Sequence, residues 1–233
     1  MKHELFSNKF VQYILQNVKD EDKIQRLPSL NRISKELNVS VSTLREQLEA
    51  AKALGFVEAR PRAGIRRLPY QFLPAVRESL NYGLNLDRKY FDQFASLRNH
   101  IEASFWHEAV VCLDEIDHRN LKNIVSKAWN KLNASQIEIP HEEHRQLHLL
   151  IFHKLNNLFV YGILEAYWEA YEIIGLNLYT DYEYLKKVWD YHEKMVDSIC
   201  IGDYEAGFQA LTQHSDLLYH RPLAAQGNST NDE

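Results

Sequence analysis

The sequence is poor in the residues that would mark a secreted, fibrous or membrane-embedded protein. Its 233 residues include two cysteines, two methionines, six prolines and eight glycines. Cys112 and Cys200 lack C-x-x-C spacing and are too few to staple a chain of this size. They read as two buried thiols in a reducing cytoplasm. No apolar run approaches the roughly 18 residues that a bilayer-spanning helix needs, and no basic-then-apolar signal segment opens the chain. The expectation is therefore a cytoplasmic protein with no membrane partner. A Gly-rich phosphate loop and internal repeats are also missing. The polar stretch 224–233 has no periodicity and reads as a disordered tail. What remains, 45% hydrophobic and 25% charged, has the balance of an ordinary globular protein.

Charge of one sign is scarce at each end. Residues 1–67 carry 13 Lys/Arg against 8 Asp/Glu, a net +5, whereas the rest of the chain nets −10. A basic end on an acidic body suggests that the first segment faces a large anion, of which nucleic acid is the commonest.

Hydrophobic periodicity divides the chain at Pro69–Pro74. Before that boundary, Leu5, Phe6, Phe10, Ile14, Leu15 and Val18 share one face of a helix over 4–18. Pro28-Ser29 opens a short second helix carrying Leu30, Ile33 and Leu37. Ser40 caps a third from about Val41 to Ala53, which Gly55 ends. Phe56–Ala59 and Ile65–Leu68 then read as a hairpin around a Pro/Gly turn. Three helices and a hairpin within residues 1–69 form a winged helix-turn-helix. Beyond the boundary strand signals vanish, and helical periodicity fills 91–111, 121–132, 140–155, 158–178, 182–201 and 204–219. Six helices with short links form an antiparallel bundle over 75–220, so the fold class is mainly α.

In a helix-turn-helix the second helix of the motif enters the major groove, and its first turn meets bases and phosphates. Here that turn offers Ser42, Thr43 and Arg45, while Leu44 and Leu48 point back to the core. The wing offers Arg60, Arg62, Arg66 and Arg67. Each of these, alone, is more often a solvated surface group; their combination points to double-stranded DNA.

Leu27-Pro28-Ser29, Val39-Ser40, Thr43-Leu44-Arg45-Glu46, Gly55-Phe56-Val57-Glu58 and Pro61-Arg62-Ala63-Gly64 together resemble the GntR family of bacterial repressors. The resemblance implies DNA contacts from Ser42, Thr43, Arg45, Arg62 and Gly64, with Arg32 expected to stand in for a family arginine that is missing. The chain departs from the family at Asn31 and Val41, where arginines are usual. Arg32 stands next to the first of these, and no operator sequence is implied.

Nine of the eleven histidines lie between residues 107 and 220. His144 and His148, at i and i+4, share a helical face with a spacing that suits chelation of one ion. His192 and His214 sit among apolar neighbours in the last two helices, where a neutral imidazole needs a hydrogen-bond or metal partner. Four histidines from three helices can converge on one ion; they can also be separate core residues, each satisfied by a carbonyl or a water. The segment His148–Asn157, Tyr191-His192-Glu193, Ile201–Ala206 ending at His214, and Leu97-Arg98 with Glu102 resemble the FadR-type ligand-binding domain, the FCD domain, over about 75–220. That resemblance implies a metal on His144, His148, His192 and His214 and an acidic effector met by Arg98. It also has a departure, because the family usually has aspartate where this chain has His144. All-nitrogen ligation favours Zn²⁺ or Ni²⁺ over oxygen-seeking ions.

The expected protein is a homodimeric, metal-containing DNA-binding regulator, since operators with two half-sites need two readers. Two rivals stand beside it. In one the bundle only dimerises. In the other it is a metalloenzyme, with Glu115 and His118 as a lone E-x-x-H pair in a loop and Glu143 as a loose general base.

Overall fold

The computed structural model describes residues 7–175 and 181–219. Leu5, Phe6, Leu178, His220 and the expected tail 224–233 lie outside the described residues. The chain forms two compact units, one of residues 1–90 with 157–170, the other of 91–156 with 171–233. This division differs from a cut at Pro69–Pro74, because the helix that follows those prolines groups with the first unit.

The first unit opens with α1 (Lys9–Gln16), capped by Asn8, whose side chain accepts from the Val11 N–H at 3.0 Å. A two-residue strand β1 (Gln25–Arg26) precedes α2 (Leu30–Leu37) and α3 (Val41–Ala53). Between those helices Asn38 takes the left-handed conformation (φ 52°), a role its short polar side chain tolerates. Ser40 caps α3 by accepting from the Thr43 N–H at 3.1 Å. Strands β2 (Val57–Arg60) and β3 (Gly64–Arg67) make the expected hairpin, and β1 adds to the far side of β3, giving the antiparallel order β1-β3-β2. Phe10, Ile14, Leu27, Ile33, Leu44, Leu48, Val57 and Ile65 form one core. The inward readings of Leu44 and Leu48 hold, at 0% and 7% exposure. Two-residue β1 was too short to leave a pattern in the sequence.

Pro74 does not break the chain. It sits in the first turn of α4 (Leu73–Leu86), where a proline's missing N–H has no helical partner to lose. The close approach of this corner to its neighbours explains its place in the first unit. A Cβ on Gly55 would lie 2.5 Å from Pro74, and one on Gly162 would lie 2.9 Å from the Leu73 nitrogen. Gly162 belongs to α8 (Leu158–Ile173). Phe72 meets Phe159 of the same helix edge-on, with ring centroids 5.0 Å apart.

The second unit is helical: α5 (Tyr90–Val110), α6 (Glu115–Leu132), α7 (His141–Phe152), α9 (Tyr182–Ile201) and α10 (Tyr204–Tyr219). Helix α9 packs on α10 and α6, and α6 also packs on α7. Trp106, Leu121, Leu132, Leu147, Phe152, Trp189 and Met195 are buried between them. Glu115 and His118 are not in a loop, because α6 starts six residues before the periodicity suggested. Asp114 and Asp117 form a reciprocal capping box there, Asp114 accepting from the Ile116 N–H at 2.8 Å and Asp117 from the Asp114 N–H at 2.9 Å. The cysteines are not buried either. Cys112 is exposed in the turn after α5, donating to the Glu108 carbonyl at 3.3 Å, and Cys200 is half-buried.

Candidate metal centre and nucleic-acid interface

His144 and His148 stand one turn apart on the inner face of α7, His192 midway along α9, and His214 toward the end of α10. One ring nitrogen from each lies within 4.8 Å of the others. The rings are 0–8% exposed. The Nε2 atoms of His148 and His192 are 3.2 Å apart. Donors about 2.0–2.1 Å from a tetrahedral ion are separated by about 3.3–3.4 Å, so this pair already has the spacing of one edge of such a site. The His192 and His214 centroids are 4.4 Å apart, and Trp189 and Tyr171 wall the cluster beside His144, at 6.2 and 6.3 Å.

Burial without partners is the telling feature. Among the described residues neither ring nitrogen of His214 has a hydrogen-bond partner, nor does Nδ1 of His192. A buried polar atom left unpaired costs on the order of 1–3 kcal/mol, and one ring nitrogen of His214 lies within the cluster. Four imidazole donors converging there fit a borderline divalent ion. Burial, reinforced by the neighbouring histidines, pushes the His192 imidazole well below its ordinary pKa; burial, then His148, does the same to His214. His148 is also lowered by burial, although Glu102 opposes the shift. Neutral rings are the protonation state that ligation requires.

Behind His148 lies a buried pair, Arg98 and Glu102, one turn apart on α5. Arg98 Nη2 donates to Glu102 Oε1 at 2.8 Å, and His148 Nδ1 lies 3.2 Å from the same oxygen and 2.8 Å from Arg98 Nη2. His148 Nδ1 thus faces an acceptor, Glu102, and a donor-only group, Arg98; a metal on Nε2 requires the tautomer whose Nδ1 donates to Glu102. Burial alone would raise the Glu102 carboxyl, but Arg98 and His148 together hold it below its ordinary value. Periodicity pointed to none of this, because an Arg and a Glu four residues apart on a helix usually form a surface pair. The remaining histidines are elsewhere: His153 is exposed and bonded to the Leu150 carbonyl at 2.7 Å. Asn157 caps α8, accepting from the Phe159 and Val160 N–H groups. Glu143 is held by Lys131 at 2.9 Å, so its carboxylate is not a free base.

In the first unit Ser42, Thr43 and Arg45 are exposed on the opening turn of α3. The Ser40 hydroxyl lies 2.8 Å from both the Ser42 and Thr43 hydroxyls, fixing their direction. Arg32 is exposed on α2 and paired with Glu36 at 2.8 Å. Arg62 is at the wing tip with φ 65° and Gly64 follows with φ 79°, a left-handed pair that turns the hairpin. Arg60 and Arg66 lean on Glu58, at 3.0 and 3.6 Å. Arg67 departs from the wing reading. It is 6% exposed and donates to the carbonyls of Asp20, Glu21, Lys23 and Leu68, so it stitches the loop after α1 to the sheet.

A winged reader and a helical bundle with a histidine-lined interior define the architecture of a GntR-type transcriptional regulator. Residues 93–217 match the FCD domain model, and the chain belongs to that family. The search of curated proteins finds no relative by sequence. Among solved structures, Streptococcus agalactiae GntR is similar at TM-score 0.66 with 15% identity, covering 91% of this chain and 96% of that one. E. coli McbR/YncC is similar at TM-score 0.50 with 14% identity, covering 86% and 87%. At such identities the likeness is one of fold. No helix among the described residues is long and apolar enough to cross a membrane.

Proposed function

We propose that the chain is a ligand-responsive, homodimeric DNA-binding regulator whose helical domain holds one divalent ion, Zn²⁺ or Ni²⁺, on His144, His148, His192 and His214. The observation that carries the metal reading is His214, buried with both ring nitrogens unpartnered among the described residues and facing three further imidazoles. Four neutral ligands leave the ion's full double charge, and the Arg98–Glu102 pair adds nothing net. A small organic acid is the effector that such a centre favours, its carboxylate drawn to the ion. Arg98 already donates to Glu102, so the acid shares its guanidinium rather than taking it over. Ser42, Thr43 and Arg45 on α3, Arg32 on α2, and Arg62 with Gly64 at the wing tip are the groups proposed to meet operator DNA.

The test is metal content after purification without chelator. About one Zn or Ni per chain should survive dialysis, and His144→Ala should weaken binding by removing one ligand. His144→Asp should restore the ion while lowering affinity for an anionic effector, because it removes one unit of charge. His153→Ala should change nothing. Full metal retention in both His144→Ala and His192→Ala would overturn the centre.

A further inference from the structure

We propose a second divalent-cation site outside the histidine cluster, built from His141, Glu142 and Glu172. One ligand atom from each lies within 4.8 Å of the others. His141 and Glu142 are the first two residues of α7 and half-buried; Glu172 is the penultimate residue of α8 and exposed. The donors therefore come from two helices whose ends meet, so the juxtaposition is tertiary.

Two observations set this cluster apart from an ordinary acidic surface. The first is that, among the described residues, no protein cation pairs with Glu142 or Glu172. The adjacent Glu143 takes Lys131 at 2.9 Å, while Arg145, one turn along from Glu142, keeps its Nε buried and unpartnered among the described residues and pairs with neither carboxylate. Two carboxylates held this close repel, and a cation between them reverses the sign of that interaction. The second is orientation. Gln146, one turn along α7, donates to Glu142 Oε1 at 2.7 Å, which restrains that carboxylate and occupies one of its two oxygens.

The chemistry differs from that of the inner cluster. One imidazole and two carboxylates form a mixed nitrogen–oxygen set that accepts Zn²⁺ and also harder ions such as Mn²⁺. Three protein donors leave positions for water, and exposure of Glu172 makes the ion exchangeable. The site is thus a weaker, open companion to the buried one, reached one turn before His144 on the same helix.

The experiment is equilibrium dialysis of the metal-stripped full chain against Zn²⁺, repeated with Mn²⁺. The wild type should take two Zn²⁺ per chain, one tightly and one weakly, and Mn²⁺ should fill the weak site alone. The pair Glu142→Gln and Glu172→Gln should lose the weak ion, with affinity falling at least about tenfold, and keep the tight one. His192→Ala should do the reverse. A single wild-type ion that disappears in His192→Ala would overturn the second site and leave the buried centre standing. A single ion that survives in His192→Ala but not in the glutamine pair would support the second site and overturn the buried one. Thermal melts of the metal-free variants check that each is folded.

Discussion

His148 and Glu102 meet at 3.2 Å inside the helical unit, both wholly buried, the imidazole Nδ1 against the carboxylate Oε1. The contact selects which nitrogen of His148 faces the cluster. Arg98 Nη2 holds the same oxygen at 2.8 Å, so the carboxylate cannot turn away without breaking an ion pair. Glu102→Gln should therefore lower metal affinity about ten- to a hundredfold without touching a ligand. Competition with a chromophoric chelator measures it. Unchanged affinity would mean that the orientation of His148 owes nothing to Glu102.

The metal-free protein should be acid-sensitive in a defined direction. The His192 and His214 imidazoles lie well below their ordinary value in the fold, pushed there first by burial. Unfolded, they titrate near about 6.5. Below that pH the unfolded chain binds protons that the folded chain refuses, so stability is complete above it and falls with acidification. Each histidine contributes at most about 1.4 kcal/mol per pH unit. Denaturant melts from pH 7.5 to 5 should show the decline, and His214→Gln should flatten it. Equal slopes in both proteins would remove His214 as a cause.

Arg45 and Arg67 should separate binding from folding. Arg45 is exposed on the reading turn, and Arg45→Ala should cost about 1–3 kcal/mol of operator affinity while leaving the melt unchanged. Arg67 is buried on backbone carbonyls, and Arg67→Ala should cost about 1.5–3 kcal/mol of stability in the first unit. Filter binding beside thermal melts distinguishes them. An Arg67→Ala protein that melts normally would return that residue to the wing surface.

Gly207 should resist any side chain. A Cβ there would lie 2.7 Å from the Trp106 ring, which is fully buried and anchored by its indole N–H to the Tyr204 carbonyl at 2.8 Å. Gly207→Ala should destabilise the helical unit by about 1–3 kcal/mol through overpacking, despite alanine's better helix propensity. Chemical denaturation reads the sign directly.

Helices with an apolar stripe were legible in the sequence, and α9 and α10 begin and end where periodicity put them. Boundaries set by side-chain caps were not. Asp114 and Asp117 start α6 early through hydrogen bonds that leave hydrophobic spacing untouched, and Pro74 was read as a breaker although a helix tolerates proline in its first turn. The four histidines converge as their family resemblance implied, because i, i+4 spacing fixes two of them on one face of α7. Glu102 was named with Arg98, but its contact with His148 stayed hidden, since four-residue spacing cannot say whether an Arg–Glu pair faces water or a core. Arg67 did leave a signal: in the two-residue alternation of β3 it shares the buried face of Ile65, while Arg66 faces outward.

The corner at residues 72–74 bears on the order in which the protein can be made. Gly55 and Gly162 leave room for that corner and nothing more, so α8 forms part of the packing of the first unit although residues 91–156 of the other unit separate it from α4. During synthesis the reader emerges first, yet its unit stays incomplete until residue 170 has left the ribosome. The nascent helix-turn-helix waits for a helix that arrives only after the whole of the histidine-bearing α7 has been translated.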